Sequence, residues 1–334
     1  MPIPTPSQQV TDKERDITRL SAFVEPLFHE MGKQIVGQRE LVEALLIGLL
    51  SSGHVLIEGL PGLAKTRTVK TLASALALDS GRIQFTPDLL PSDLLGAPVY
   101  HPGSGAFSVR RGPIFTHLLL ADEINRAPAK VQSALLEAME EQQVTIGDES
   151  LPLPEPFLVL ATQNPLDHEG TYPLPEAQLD RFMLKALVGY PSRREEEEIL
   201  ATIEEASCRP VLPVLAAAEL AAARAAVREI FLAPSLRGYI LDLVAATRNP
   251  ATSGLAELAP FLEHGVSPRG AIFLARAARA HAFLAHRSYV VPDDILKVLP
   301  LVFRHRLVLS FQAVAEGVDA DQLLERVACH IPPP

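Results

Sequence analysis

Residues 54–66 read His-Val-Leu-Ile-Glu-Gly-Leu-Pro-Gly-Leu-Ala-Lys-Thr, and this stretch decides the fold. Its first five residues predict a short apolar strand, its two glycines predict a loop, and the residues that follow, 67–76, are compatible with a helix. A strand, a glycine-rich loop, Lys-Thr and a helix in this order are typical of a phosphate-binding loop, in which backbone N–H groups surround an anion at the start of the helix. The sequence therefore predicts a nucleotide-binding site.

The last two residues of this stretch are predicted to contact the phosphates and the metal ion. Lys65 would supply a cation to the β- and γ-phosphates, and Thr66 would supply a hydroxyl group to Mg²⁺. The general pattern G-x-x-x-x-G-K-[ST] has a glycine before the lysine, whereas this chain has Ala64. Because glycine is required only where φ is positive or where a Cβ would clash, we expect helical dihedral angles at Ala64.

Length and composition limit the classes of protein to consider. A chain of 334 residues is long enough for two or three domains, and no stretch approaches the roughly 18 uninterrupted apolar residues of a membrane span. The net charge of −10 argues against broad, nonspecific binding of nucleic acid, which needs clustered Lys and Arg. Cys208 and Cys329 match no disulfide framework or zinc spacing, and the N-terminus lacks the apolar segment of a signal peptide, so the expected compartment is the cytoplasm.

Polar side chains follow two further predicted strands. An apolar run from Leu118 ends in Asp122 and Glu123, and the carboxyl end of a buried parallel strand is where open α/β sheets bind ligands. We expect Asp122 to reach the Mg²⁺ shell and Glu123 to polarise the attacking water. The strand predicted at residues 157–161 is followed by Asn164, which is placed to hydrogen-bond a water or the γ-phosphate.

Three other segments complete the pattern. Val36 and Gly37 form a short turn before a helix, where glycine allows a flat group such as adenine to approach the backbone; a plain turn is the alternative. Residues 98–112 and 143–153 each predict a β-hairpin, because two short extended runs flank a turn rich in Gly, Ser or Asp. From Pro191 onward the pattern is helical.

Taken together, five motifs resemble those of the AAA+ ATPases and, within them, the MoxR family, over about residues 35–309. They are similar to a Walker A loop in which alanine precedes the lysine (59–66), a Walker B segment (118–126), a sensor 1 segment (161–165), an arginine-finger segment (174–182) and a sensor 2 segment (267–270).

The resemblance implies an α/β fold. The core would be an αβα sandwich around a parallel sheet with strand order 5-1-4-3-2, followed by an all-helical C-terminal lid domain. The AAA+ core would span residues 1–190 and carry the hairpins 98–112 and 143–153 as inserts, and the lid would span residues 191–334.

The resemblance also implies roles for individual residues. Catalysis would involve Glu123, Asn164, Arg181 and Arg269, and the metal ligands for Mg²⁺ would be Thr66 and Asp122. Arg181 has no evident target in its own subunit and would reach the γ-phosphate of a neighbour, which implies a homo-oligomeric ring, usually a hexamer. The residues expected to bind ATP are Val36, Gly37, Gly59, Pro61, Gly62, Leu63, Ala64, Lys65 and Thr66.

The function that follows from the resemblance is that of a MgATP-hydrolysing motor. It would be a chaperone-like remodeller of protein clients or a metalloenzyme maturation factor, with a von Willebrand factor A domain protein as partner; no nucleic acid partner and no membrane span are expected. The alternative is a transcription- or chelatase-related AAA+ motor of the same helix-2-insert clade. Residues 105–107 read Gly-Ala-Phe as in transcriptional activators, but Ser-Val-Arg follows, so the activator loop is not matched.

Overall fold

The structure is a computed structural model that describes residues 6–59, 62–103, 105–164, 171–204 and 210–334. The strands are β1 (Val55–Gly59), β2 (Ser80–Gln84), β3 (Gly96–His101), β4 (Ala106–Arg111), β5 (Leu118–Asp122), β6 (Gln143–Ile146), β7 (Glu149–Pro152), β8 (Leu158–Gln163), β9 (Leu184–Val188), β10 (Leu262–His264) and β11 (Val308–Leu309). The α-helices are α1 (Pro6–Leu20), α2 (Val24–Gly32), α3 (Arg39–Leu50), α4 (Lys65–Ala75), α5 (Pro91–Leu95), α6 (Ala129–Glu141), α7 (Glu176–Leu179), α8 (Arg193–Glu204), α9 (Ala217–Glu229), α10 (Pro234–Arg248), α11 (Pro268–Leu284), α12 (Pro292–Phe303), α13 (Phe311–Glu316) and α14 (Ala320–His330).

The chain forms two compact units. The first, called the core unit below, comprises residues 26–182 and 186–217. The second, called the C-terminal unit, comprises the described residues up to Glu25, residues 183–185 and residues 218–334. Because each unit is made of segments that are not consecutive in the chain, the boundary expected between residues 190 and 191 stays a prediction.

A five-stranded sheet organises the core unit. Its strands lie in the order β2-β5-β8-β1-β9, which is the predicted order 5-1-4-3-2 when these five strands are numbered along the chain. The pairs β2–β5, β5–β8 and β8–β1 are parallel. The predicted fold class is therefore confirmed.

Helices cover both faces of this sheet because its central strands are apolar on both sides. Leu119 and Ala121 of β5 belong to one buried cluster with Val131 and Leu135 of α6. Leu120 points to the opposite face, since side chains alternate along a strand, and it is only 1% exposed. Near-continuous burial of this kind is what a parallel sheet between two helical layers requires.

Both predicted hairpins are present. β3 and β4 form the first, and β6 and β7 form the second, each with antiparallel pairing. In the first hairpin Tyr100 lies opposite Phe107, and their ring centroids are 5.2 Å apart. Tyr100 is 52% exposed and Phe107 71% exposed, so this hairpin presents an aromatic pair to solvent.

The C-terminal unit is helical, as predicted, with the addition of a short antiparallel ribbon of β10 and β11. These strands are too short to show alternation in the sequence. A buried carboxylate links two of its helices: Asp294 of α12 pairs with His281 of α11 at 2.6 Å and with Arg287. Among the described residues, no helix is long and apolar enough to cross a bilayer.

His54, the residue before β1, yields a prediction about stability in acid. Its Nδ1 accepts from the Val159 backbone N–H at 3.0 Å and its Nε2 donates to the Met139 carbonyl at 3.1 Å, so the ring is neutral. Burial lowers the pKa of His54 to about 4. The unfolded chain, with an ordinary histidine pKa near 6.5, binds the proton more readily, so stability is full above about pH 6.5 and falls as the pH drops towards 4, by on the order of 3 kcal/mol.

We therefore expect His54→Gln to lower stability at pH 7, because two buried hydrogen bonds are perturbed, yet to flatten the loss between pH 6.5 and 4. Urea midpoints measured at several pH values would test this. His264→Gln, at an exposed histidine on β10, should leave the pH dependence of the wild type unchanged. An equally steep acid loss in the His54 variant would contradict the prediction.

Candidate active site

Two adjoining cavities lie in the core unit and share Gly62, Leu63, Ala64 and Arg67. The first has a volume of 510 Å³ and the second 440 Å³, both within the usual size of ligand pockets. The first contains the predicted adenine contacts Val36 and Gly37, together with residues 187–191 and part of α8. The second is lined mostly by polar residues, among them Lys65, Thr66, Asp122, Glu123, Thr162 and Asn164.

The loop between β1 and α4 has a left-handed residue at its end. Ala64 has φ 53° and ψ 16°, so the expectation of helical dihedral angles there was wrong. For a residue with a Cβ, this conformation costs roughly 1–2 kcal/mol. The Ala64 carbonyl nevertheless accepts the first bond of α4, from the Thr68 N–H at 2.9 Å. The chain thus bears local strain to begin the helix at Lys65.

Two other non-glycine residues beside the cavities have positive φ. Gln38 has φ 54° and Glu123 has φ 57°. The Gln38 side chain donates to the Leu63 carbonyl at 2.7 Å and so clamps the loop against the turn that precedes α3. Strained backbone persists only where the surrounding structure imposes it, and it clusters at functional sites.

Lys65 is anchored at the base of the loop. Its Nζ donates to the Gly59 carbonyl at the end of β1, at 2.6 Å. Burial lowers the pKa of Lys65, while the charges of Asp122 and Glu123 act in the opposite direction. Lys65 therefore lies between the loop, where a phosphate group would bind, and the two carboxylates, where its counter-ion would bind.

Asp122 is held at both oxygens. Thr162 donates its hydroxyl to Oδ1 at 2.6 Å, and Arg82 donates to Oδ2 at 2.7 Å. The donor set of Thr66 and Asp122 fits Mg²⁺, which is bound by one or two protein oxygens together with phosphates and water. The described residues contain no cluster of three or more His, Cys, Asp or Glu that would form a protein-only metal cage.

Glu123 is also oriented by neighbours. Its backbone N–H donates to the Thr162 hydroxyl at 2.9 Å, and its Oε2 accepts from Gln84 Nε2 at 2.8 Å. Arg126 forms an ion pair with the same oxygen at 3.2 Å. Thr162 therefore contacts both adjacent acidic residues, through the side chain of one and the backbone of the other.

Sequence reasoning missed Arg82, Gln84 and Thr162 as site residues. All three lie near the carboxyl ends of strands next to β5, and Gln84 is directly beside Asp122 in the sheet register. The signal available in the sequence was polar residues at the ends of the strands predicted on either side of Asp122. That signal becomes specific only once the strand order is known.

The remaining predicted residues are placed as follows. Asn164 lines the second cavity, and Pro61 lies outside the described residues. Arg181 forms an ion pair in its own subunit, with its Nε 3.2 Å from Glu140 of α6, and its expected contact with a neighbour's γ-phosphate stays a prediction. Arg269 is the second residue of α11 in the C-terminal unit, so it belongs to a different unit from the cavities.

Comparison with known proteins agrees with this geometry. Residues 54–184 match the family model described as ATPase family associated with various cellular activities (AAA), and residues 257–327 match the AAA lid domain. The fold and the loop with its paired carboxylates thus define an AAA ATPase, an enzyme that hydrolyses ATP.

Individual relatives identify the group of AAA ATPases that this chain resembles. The chain is 46% identical to Chaperone MoxR1 of Mycobacterium tuberculosis over 91% of its own length and 80% of the relative. It is 35% identical to Protein MoxR of Paracoccus denitrificans, over 83% and 86% of the two chains. A crystal structure of a protein from Cytophaga hutchinsonii superposes with a TM-score of 0.91 at 45% identity, covering 98% of this chain and 99% of that one. The chain belongs to the MoxR family of AAA+ ATPases.

Thr162 provides a test of how the two carboxylates are held. Thr162→Val keeps the volume of this buried side chain but removes the hydroxyl that contacts Asp122 and Glu123, so we expect ATP turnover to fall by about 10- to 100-fold. Thr162→Ser keeps the hydroxyl and should retain most of the activity. Steady-state hydrolysis measured across a Mg²⁺ titration would compare them, and equal rates for the two variants would remove Thr162 from this role.

Proposed function

We propose that this MoxR-family ATPase works as a homo-oligomeric ring that uses MgATP hydrolysis to remodel protein clients. The observation that carries the proposal is the arrangement at the carboxyl ends of β1, β5 and β8, where Lys65, Asp122 and Thr162 meet in one cavity. A lysine, a hydroxyl group and two carboxylates around one cavity suit phosphoryl transfer to water, in which catalysis is mainly positioning and charge stabilisation.

Each predicted residue has a task in this proposal. Lys65 contacts the β- and γ-phosphates, and Glu123, held by Gln84 and Arg126, orients the attacking water. Asn164 hydrogen-bonds the γ-phosphate or that water. Thr66 and Asp122 are the residues that would hold Mg²⁺, which neutralises charge on the phosphate oxygens when bound. Arg269 acts as the sensor 2 residue that its motif resembles.

Arg181 supports the ring. The described residues that line the two cavities do not include Arg181. Its side chain instead pairs with Glu140 of α6 in the core unit. Its side chain is 33% exposed, so a neighbouring subunit can approach it. In other NTPases an arginine supplied in trans raises the rate of hydrolysis on the order of 10³- to 10⁵-fold. A gain of this size favours an active site that is formed between subunits. A hexamer is the ring size that we propose.

The first hairpin supports an action on proteins. Tyr100 and Phe107 present adjacent exposed aromatic rings, and large aromatic side chains are frequent anchors in protein interfaces. A relative that shares 46% identity bears the name Chaperone MoxR1. A partner with a von Willebrand factor A domain and a role in metalloenzyme maturation remain part of the proposal through the family resemblance.

A subunit-mixing experiment tests the ring. Glu123→Gln has an inactive site but an intact Arg181, whereas Arg181→Ala has an intact site but lacks the arginine. Each variant alone should lose ATPase activity on the order of 10³-fold. Mixed in equal amounts they should regain up to about a quarter of the wild-type rate, because a quarter of random neighbour pairs combine an intact site with an intact arginine.

Glu140→Gln is the matched control for the mixing experiment. It breaks the same ion pair as Arg181→Ala but keeps the arginine, so it should retain most of the ATPase activity. If mixing restores no activity although both variants assemble with wild-type subunits, Arg181 does not act in trans.

Client capture tests the remodelling function. With ATP present, Glu123→Gln should hold client proteins that Lys65→Ala, which cannot bind the phosphates, does not hold; affinity purification and mass spectrometry would identify them. Adding Phe107→Ser should remove most of the captured protein, and adding Phe311→Ser, at a still more exposed aromatic residue of α13, should not. Capture that is lost on nuclease treatment would favour the transcription-related alternative.

A further inference from the structure

Glu195 lies against the backbone of Gly37 at the wall of the first cavity. A Cβ built on Gly37 would be 2.2 Å from Glu195 Oε1 and 2.8 Å from its Cδ, so a side chain at position 37 would displace the Glu195 carboxylate from this place. Gly37 also has φ +67°, which favours glycine. The absence of a side chain at position 37 therefore lets a carboxylate oxygen of Glu195 approach the turn where adenine was predicted to bind.

The orientation of this carboxylate is set by the start of α8. Glu195 Oε2 accepts from the Ser192 backbone N–H and from the Ser192 hydroxyl, both at 2.7 Å. This is the capping-box arrangement, in which the third residue of a helix reaches back to the residue before the helix. The same hydrogen bonds lower the pKa of Glu195, so its carboxylate is ionised at neutral pH.

The other oxygen is available to a ligand. Within the described part of the chain, no hydrogen bond reaches Oε1, whose neighbour is Gly37. Glu195 is the first of four consecutive glutamates, 195–198, and the other three are exposed. Glu195 differs from them because it lines the first cavity.

The rest of the first cavity suits a flat aromatic base. It shares Gly62–Ala64 with the second cavity, which contains Lys65. A nucleotide with its phosphates at Lys65 would therefore have its base in the first cavity. Much of its wall is apolar, and a purine needs apolar contacts for its faces and a few polar groups at its edge. The apolar side chains in this wall include Ile35, Val36, Leu187, Val188, Tyr190 and Ile199.

We propose that Glu195 Oε1 accepts a hydrogen bond from the 6-amino group of adenine and thereby makes the site select 6-amino purines over 6-oxo purines. An amino group donates to a carboxylate, whereas a 6-oxo group presents a second acceptor to it. A site that hydrogen-bonds a substrate N–H rejects an analogue that lacks it, since the polar group of the protein is then left unpaired. This inference rests on the nucleotide site of the proposed function and adds its base specificity.

Glu195→Gln separates this role from helix capping. Glutamine is as suitable as glutamate at the third position of a capping box, so α8 keeps its cap. The Ser192 N–H requires an oxygen, so the amide oxygen takes the place of Oε2 and the NH₂ group takes the place of Oε1. The group that faces the cavity therefore changes from an acceptor to a donor, which reverses the preference at position 6 of the purine instead of only weakening binding.

The experiment is isothermal titration calorimetry with ADP and inosine diphosphate, which differ at position 6 and are not hydrolysed. The wild type should bind ADP about 10- to 100-fold more tightly, as expected for one hydrogen bond to a charged group. Glu195→Gln should bring the ratio of the two dissociation constants to about one or below it, and Glu195→Ala should bring it close to one. Glu196→Gln, at the exposed neighbouring glutamate, should keep the wild-type ratio.

The outcomes distinguish this inference from the proposed function. If Glu195→Gln retains the wild-type preference for ADP, Glu195 acts only as a helix cap and the inference is overturned. Lys65→Ala should weaken ADP and inosine diphosphate by the same factor, because it acts on the phosphates. If the wild type binds neither diphosphate, the nucleotide site itself is misplaced and the proposed function fails together with the inference.

Discussion

Parallel strands expose their carboxyl ends at one edge of a sheet, and the active site of this protein depends on that constraint. Gly59, Gln84, Asp122 and Gln163 are the last residues of β1, β2, β5 and β8, which are neighbours in the sheet. Side chains that are 39 or 40 residues apart in sequence, such as Thr162 and Asp122 or Gln84 and Glu123, therefore come within hydrogen-bonding distance. The packing of both sheet faces keeps these strands in register, because a slip would separate their apolar side chains from the helical side chains that fit against them.

Local strain accompanies this arrangement. Gln38, Ala64 and Glu123 have left-handed backbone beside the two cavities, at a cost of roughly 1–2 kcal/mol each. The conformation at Ala64 lets α4 begin at Lys65, and the one at Glu123 brings its N–H to the Thr162 hydroxyl. The packed sheet and helices supply the stability that maintains these conformations, in keeping with the general clustering of strained residues at functional sites.

The active site also requires that the negative charges of its two carboxylates be compensated. The carboxylates of Asp122 and Glu123 are adjacent in sequence, and like charges this close repel each other. Arg82 pairs with Asp122 at 2.7 Å and Arg126 pairs with Glu123 at 3.2 Å, while Gln84 bridges the two pairs by bonding both Arg82 and Glu123. This network lets two anions face Lys65 in a partly buried cavity.

The sequence by itself determined the phosphate-binding loop, the paired carboxylates, both hairpins and the family, because these depend on local spacing and on the order of motifs. Only the tertiary structure showed that Ala64 is left-handed, that Arg181 pairs with Glu140 and that Arg82, Gln84 and Thr162 support the carboxylates. Likewise, only the fold distinguished Glu195 from the other glutamates of its run. The physical reason is that backbone strain and contacts between distant residues follow from strand order and packing, which the spacing of residues along one chain does not encode.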